Sequence, residues 1–326
     1  MSNIFDALRR SGDEVPGIDL PGLLDDGRRE GVAPPCKVEV EELNHVAVLA
    51  GLTDSEAATP VNGAAETSFG STEHKNGHAS ISFRPAIIRT QPISIRTAGP
   101  VLPFDDQRKI IEQYRLLRTK IQQHMAEPRV LLVAGSGPGD GKTTNAINLA
   151  GVLSLKSHTT AVLVDADFRR SSIRRLLGLQ NGPGLVEVLT GACSLEEALI
   201  RTEQYPNLYV LGSGEQWQNS AELLDSPRWA AALAALRREF TYVVLDSPPI
   251  GSLADYDLLQ ASADGVILVI RPDHTRRELA MKALDTIPKE KFLGVVMNGV
   301  EKWFLKKDYY SSSQEYLATP DGVPSN

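Results

Sequence analysis

Beyond residue 100 the apolar positions fall into two alternating kinds of run. Short stretches rich in Val, Ile and Leu at 130–133, 160–165, 208–211, 242–246, 265–270 and 292–297 read as strands. They do not alternate with polar residues, which suits strands buried on both faces. Between them apolar residues recur at helical spacing. Ile110, Ile111, Tyr114, Leu117 and Ile121 form one stripe, on a helix that Asp105 or Asp106 can cap. Further helical segments are predicted at 146–150, 172–177, 185–189, 195–202, 227–240, 253–261 and 276–286. Strands and helices in alternation predict an α/β fold, a mainly parallel sheet flanked by helices.

The first hundred residues carry a different pattern. They hold eight of the twenty prolines, three aromatic residues and many small polar residues, with a net charge of −5. Such a stretch buries too little apolar surface to offset its ordering entropy, so 1–100 is expected to be a largely disordered region. Two islands stand out: Ile4, Phe5 and Leu8 share one face of a short helix, and 38–52 can form a small strand pair. The expected organisation is this region, then a domain over 101–305, then a polar tail over 306–326.

The chemistry begins where the first strand of the domain ends. Ala134-Gly135-Ser136-Gly137-Pro138-Gly139-Asp140-Gly141-Lys142-Thr143-Thr144 lies between a strand and a helix, the setting of a phosphate-binding P-loop. Glycines let successive backbone N–H groups converge on one anion, and the helix adds its positive end. Lys142 reaches the β- and γ-phosphates, and the Thr143 hydroxyl is a Mg²⁺ ligand. Ser136 stands where the strict pattern has glycine.

Two carboxylate motifs sharpen that reading. Asp246 ends Val243-Val244-Leu245, and Asp165 and Asp167 follow the strand 160–165 at alternate positions. In parallel α/β sheets ligands sit at the carboxyl ends of the strands, where the P-loop, Asp165 and Asp246 all fall. Phosphoryl transfer to a hydroxyl needs a metal ligand and a general base, and these residues supply both. An ATP or GTP site follows.

Composition narrows the compartment and partners. With 326 residues and a net charge of −7, bulk attraction to nucleic acid or anionic lipid is not expected. Cys36 and Cys193 have no metal or disulfide spacing, which suits a reducing cytoplasm. No apolar run approaches the ~18 residues of a membrane helix.

The motifs resemble those of the bacterial tyrosine kinases of capsule and exopolysaccharide production, over about 106–316. The resemblance rests on the P-loop 136–144, on Val162-Leu163-Val164-Asp165-Ala166-Asp167-Phe168-Arg169 and on Val243-Val244-Leu245-Asp246-Ser247-Pro248-Pro249. It extends to 184–191, 221–224 and 294–300, and to Glu112, Arg115 and Arg118, spaced as in the family's helix for ring-like self-assembly. It implies ATP and Mg²⁺ as cofactors, with Gly137, Pro138, Gly139, Asp140, Gly141, Lys142, Thr143 and Thr144 around the nucleotide. Thr143, Asp165 and Asp246 would hold the metal, Lys142, Asp165 and Asp167 would serve catalysis, and Asn298 would read adenine. It implies phosphorylation in trans, within a homo-oligomeric ring, of C-terminal tyrosines, here Tyr309, Tyr310 and Tyr316. It also implies a separate transmembrane chain-length regulator as activator, drawing a cytoplasmic chain to the inner face of the plasma membrane.

Two other functions fit the same motifs. A positioning ATPase of the partition or septum-site type shares the fold but places a second lysine at position 137, which is glycine here. A nucleotide-binding assembly switch would keep Lys142 and Asp246 and transfer no phosphate.

Overall fold

The computed structural model describes residues 46–49, 87–94, 108–251, 254–272 and 274–300. The expected helix at Ile4–Leu8, residues 38–45 and 50–52 of the expected strand pair, the expected caps Asp105 and Asp106, and Tyr309, Tyr310 and Tyr316 lie outside the described residues. Nine strands among the described residues form one sheet. They are β1 (Val46–Leu49), β2 (Arg89–Gln91), β3 (Val130–Gly135), β4 (Ala161–Asp165), β5 (Leu199–Thr202), β6 (Leu208–Leu211), β7 (Tyr242–Asp246), β8 (Gly265–Ile270) and β9 (Phe292–Asn298), in the order β1-β9-β8-β3-β7-β4-β6-β5-β2. The six strands from β9 to β6 in that order run parallel. At the edges β1 is antiparallel to β9, β5 is antiparallel to β6, and β2 runs parallel to β5.

Side-chain alternation along β3 accounts for the uninterrupted apolar runs. Val130, Leu132 and Ala134 pack into one core, and Leu131 and Val133 into another. The second core is closed by α1 (Arg108–Gln122), α2 (Lys142–Ser154) and α3 (Ile173–Leu177), through Tyr114, Ile121, Ile147, Leu153 and Leu177. The first is closed by α4 (Leu185–Thr190), α7 (Pro227–Glu239) and α8 (Ala254–Ser262), through Leu185, Trp229, Leu236, Tyr256 and Leu259. The remaining helices are α5 (Leu195–Ala198), α6 (Ser220–Leu224) and α9 (Arg277–Thr286). Both faces of the sheet are covered, as continuous apolar strands require.

The expected helix over 195–202 is half helix and half strand. Ser194 and Glu197 form a capping box that starts α5, but Leu199 is already extended at φ −71°, ψ 143°. From there β5 pairs with β6, Ile200 opposite Val210. Helical spacing is short-range information, whereas the β-branched Ile200 and Thr202 gain more from a neighbouring strand. Among the described residues the first hundred supply two strands, β1 pairing with β9 and β2 with β5.

Candidate functional site

β3, β7 and β4 lie side by side, so their carboxyl ends deliver three motifs to one place. Val133 of β3 pairs in register with Asp246 of β7, and Asp246 with Asp165 of β4. The loop after β3 runs from Ser136 to Gly141, and Gly141 enters α2 with φ +96°. Only glycine fits there, because a Cβ would also lie 1.9 Å from Asn298 Nδ2. Ser136 has no such demand: its φ is not positive, and its Oγ donates to Asp140 Oδ2 at 3.2 Å.

Asp140 organises the loop from within. Its carboxylate is buried and accepts from Gly137 N at 2.8 Å and from Thr275 Oγ1 at 2.7 Å. His274 Nε2 lies 3.0 Å from Pro138 O. Since a carbonyl only accepts, that ring nitrogen carries the proton. The segment after β8 thus holds the outer side of the P-loop. Asn298, at the end of β9, donates through Nδ2 to Asp140 O at 3.0 Å. The adenine role implied for Asn298 is therefore joined by a visible one, fixing the P-loop backbone.

Lys142 is buried and its Nζ donates to Gly137 O at 2.9 Å. Burial lowers its pKa, against the pull of the Asp246, Asp140 and Asp167 charges. Burial pushes the Asp165 carboxyl up to about 6, although Ile173 N, Ser171 Oγ and Ser172 N donate to its Oδ2. Asp246 is pushed well above the ordinary carboxylate range by burial and by the Asp165 charge, with the Thr143 hydroxyl and Lys142 acting the other way. Asp165 Oδ1 and Asp246 Oδ1 are both buried without a hydrogen-bond partner.

Two adjacent buried carboxylates with orphaned oxygens call for a cation. Asp165, Asp246 and the Thr143 hydroxyl fit Mg²⁺, which takes one or two carboxylates and completes its shell with waters and phosphate oxygens. Asp167 is half-buried, and its Oδ1 accepts from Arg170 N at 3.0 Å. Thr144 is half-buried in the first turn of α2.

The three residues expected to serve self-assembly separate. Glu112 and Arg115 are exposed and paired at 2.5 Å, whereas Arg118 Nη1 donates inward to Val152 O of α2 at 2.9 Å. Of the other motifs, Glu187 in α4 ties its own helix start to the loop after β6, accepting from Gly184 N at 2.6 Å and Glu215 N at 3.0 Å. Ser220, at the start of α6, donates to the buried Asp255 at 2.6 Å.

Sequence reasoning missed His274 and Thr275, although both follow a strand at its carboxyl end, the signal that located Asp165 and Asp246. It also took Tyr114 for a core residue alone. The phenol oxygen in an apolar stripe was the available sign of a polar partner.

The fold and this site define a P-loop NTPase. An AAA domain family model matches residues 129–290. The tyrosine-protein kinase YwqD of Bacillus subtilis is 36% identical over 215 residues, covering 64% of this chain and 87% of that protein. The tyrosine-protein kinase CpsD of Streptococcus pneumoniae is 32% identical over 200 residues, covering 60% and 86%. Among solved structures, the kinase domain of Escherichia coli tyrosine kinase ETK aligns with a TM-score of 0.56 at 27% identity, over 66% of this chain and 89% of that one. The chain belongs to the bacterial tyrosine kinase family.

Proposed function

We propose that the chain transfers the γ-phosphoryl group of ATP to tyrosine hydroxyls, its own Tyr309, Tyr310 and Tyr316 among them, and so regulates exopolysaccharide or capsule production. The observation that carries this reading is the meeting of Lys142, Thr143, Asp165 and Asp246 at the ends of three adjacent strands. Gly137 to Thr144 surround the phosphates, and Lys142 exchanges its bond to Gly137 O for a phosphate oxygen. Thr143, Asp165 and Asp246 hold Mg²⁺, which supplies charge neutralisation on the phosphates. Asp167, the least buried of the carboxylates, receives the proton of the incoming tyrosine hydroxyl.

Transfer in trans within a homo-oligomeric ring is part of the proposal, with the exposed Glu112–Arg115 pair on the subunit contact. A separate transmembrane chain-length regulator is its partner at the membrane. No helix among the described residues is long and apolar enough to cross a membrane. A positioning ATPase is disfavoured at position 137, where a Cβ would meet nothing closer than 3.9 Å. A lysine there has room, and the chain does not use it.

The test is purified full chain with Mg²⁺-ATP, alone and with the activator's cytoplasmic segment, read by phosphotyrosine mass spectrometry beside Lys142→Met. Phosphate on tail tyrosines, reduced at least ~100-fold in the variant, supports the proposal. ATP turnover with no phosphotyrosine under either condition would overturn it in favour of a positioning ATPase or an assembly switch.

A further inference from the structure

α1 carries the exposed Glu112–Arg115 pair on its outer face and a fully buried tyrosine on its inner one. The Tyr114 hydroxyl donates to Asn145 Oδ1 at 2.8 Å and accepts from Asn148 Nδ2 at 3.2 Å. Asn145 Nδ2 in turn donates to Gly141 O at 2.9 Å. The direction of this relay is fixed by its end. The Gly141 carbonyl can only accept, so the Asn145 amide nitrogen faces it and the amide oxygen faces the phenol. The phenol must then donate to Asn145 and receive from Asn148. Burial pushes the Tyr114 phenol up, so it stays a neutral donor.

Gly141 is the residue where the P-loop turns into α2, held in the left-handed region with Asn298 against it. A small rotation of its peptide re-aims the N–H groups that face the phosphates. We propose that Tyr114 is a positioning residue for the P-loop, holding Gly141 through Asn145, and that it thereby links nucleotide binding to contacts made on the outer face of α1. The first half needs only the geometry above; the second rests on the proposed reading of α1 as a subunit contact. A core tyrosine chosen for bulk alone would not need two asparagines one turn apart, both buried, on the opposing helix. The phenol satisfies the Asn145 amide oxygen, an acceptor that is costly to bury unpaired.

The experiment uses the full chain and Mg²⁺-ADP, so it does not depend on phosphotransfer. Titration calorimetry gives the ADP dissociation constant, and sedimentation gives the self-association constant with and without ADP, for wild type and Tyr114→Phe. The ring is retained in that variant, so packing is nearly unchanged and only the relay is cut. The expected result is ADP affinity weakened about three- to tenfold. With it, the ratio of association constants with and without ADP, about 5- to 150-fold either way in wild type, falls towards one. Asn145→Ala cuts the same relay without touching α1 and must reproduce both changes, which covers the case where Tyr114→Phe does not fold. Unchanged ADP affinity overturns the proposal. So does a weakened affinity with an unchanged ratio, or a wild-type ratio of one.

Discussion

Asp140 is an anion inside a loop built to receive anions. Its carboxylate is turned inward, onto Gly137 N, Ser136 Oγ and Thr275 Oγ1, so it shapes the loop instead of facing the phosphates. Thr275→Val removes one of these bonds while keeping the volume, and ADP affinity should fall about three- to tenfold by calorimetry. An unchanged affinity would mean that the segment after β8 does not brace the P-loop. The paired aspartates behave differently, because their oxygens are unsatisfied without a cation. Asp165→Asn should raise stability by about 1–3 kcal/mol in chelator, measured by urea unfolding, by removing one of two adjacent buried charges. The same variant should lose the Mg²⁺-dependent part of its nucleotide affinity. At this scale the sequence was informative for residues at strand ends in a motif. It put Asp140 in the P-loop but gave no sign that its carboxylate turns inward, because a side chain that bonds its own loop leaves no spacing signature.

Among elements, the join between α8 and β8 is pinned by Asp264. Its Oδ2 accepts from Val130 N at 2.8 Å and Arg129 N at 2.9 Å, its Oδ1 pairs with Arg237, and its N–H donates to Val130 O. Burial pushes this carboxyl up, but the donors from Val130, Arg237 and Arg129 outweigh it and hold the pKa below the ordinary range. A depressed carboxylate stabilises the fold above its unfolded pKa, and the stabilisation is lost as pH falls through the folded value. Asp264→Asn should therefore cost about 1–2 kcal/mol at pH 7, after allowance for its partial exposure. The difference from wild type should close below about pH 4. A gap in urea midpoints that stays constant with pH would count against this account. The parallel core was readable because burial on both faces leaves continuous apolar runs. β5 was not, since four residues in a mixed pattern are assigned only by the strand beside them.

In the whole molecule, residues 87–94 pack onto the domain, with β2 in its sheet, although their composition reads as tail. Gln91 O accepts from Glu203 N, its Oε1 from Gln180 N, and Ser94 N donates to Leu177 O. Ser94 O comes so close to Gly178 that a Cβ there would lie 2.2 Å away. A chain starting at residue 87 should be about 2–4 kcal/mol more stable to urea than one starting at residue 95. Equal midpoints would place the domain boundary after Ser94. Composition averages over many residues, so it cannot register a three-residue strand held mainly by its backbone.

The end of β9 has a consequence for reach. Asn298 touches the P-loop, and the chain continues from it directly towards Tyr309, eleven residues on, and Tyr316, eighteen residues on. A polypeptide extends at most about 3.5 Å per residue, so Tyr309 stays within about 40 Å of its own Asn298 and Tyr316 within about 65 Å. On the proposed function, covalent length from Asn298, and not the amount of protein, sets the local concentration of these acceptors. The same length is a ruler for the proposed assembly: a neighbour whose P-loop lies beyond that radius can never receive these tyrosines.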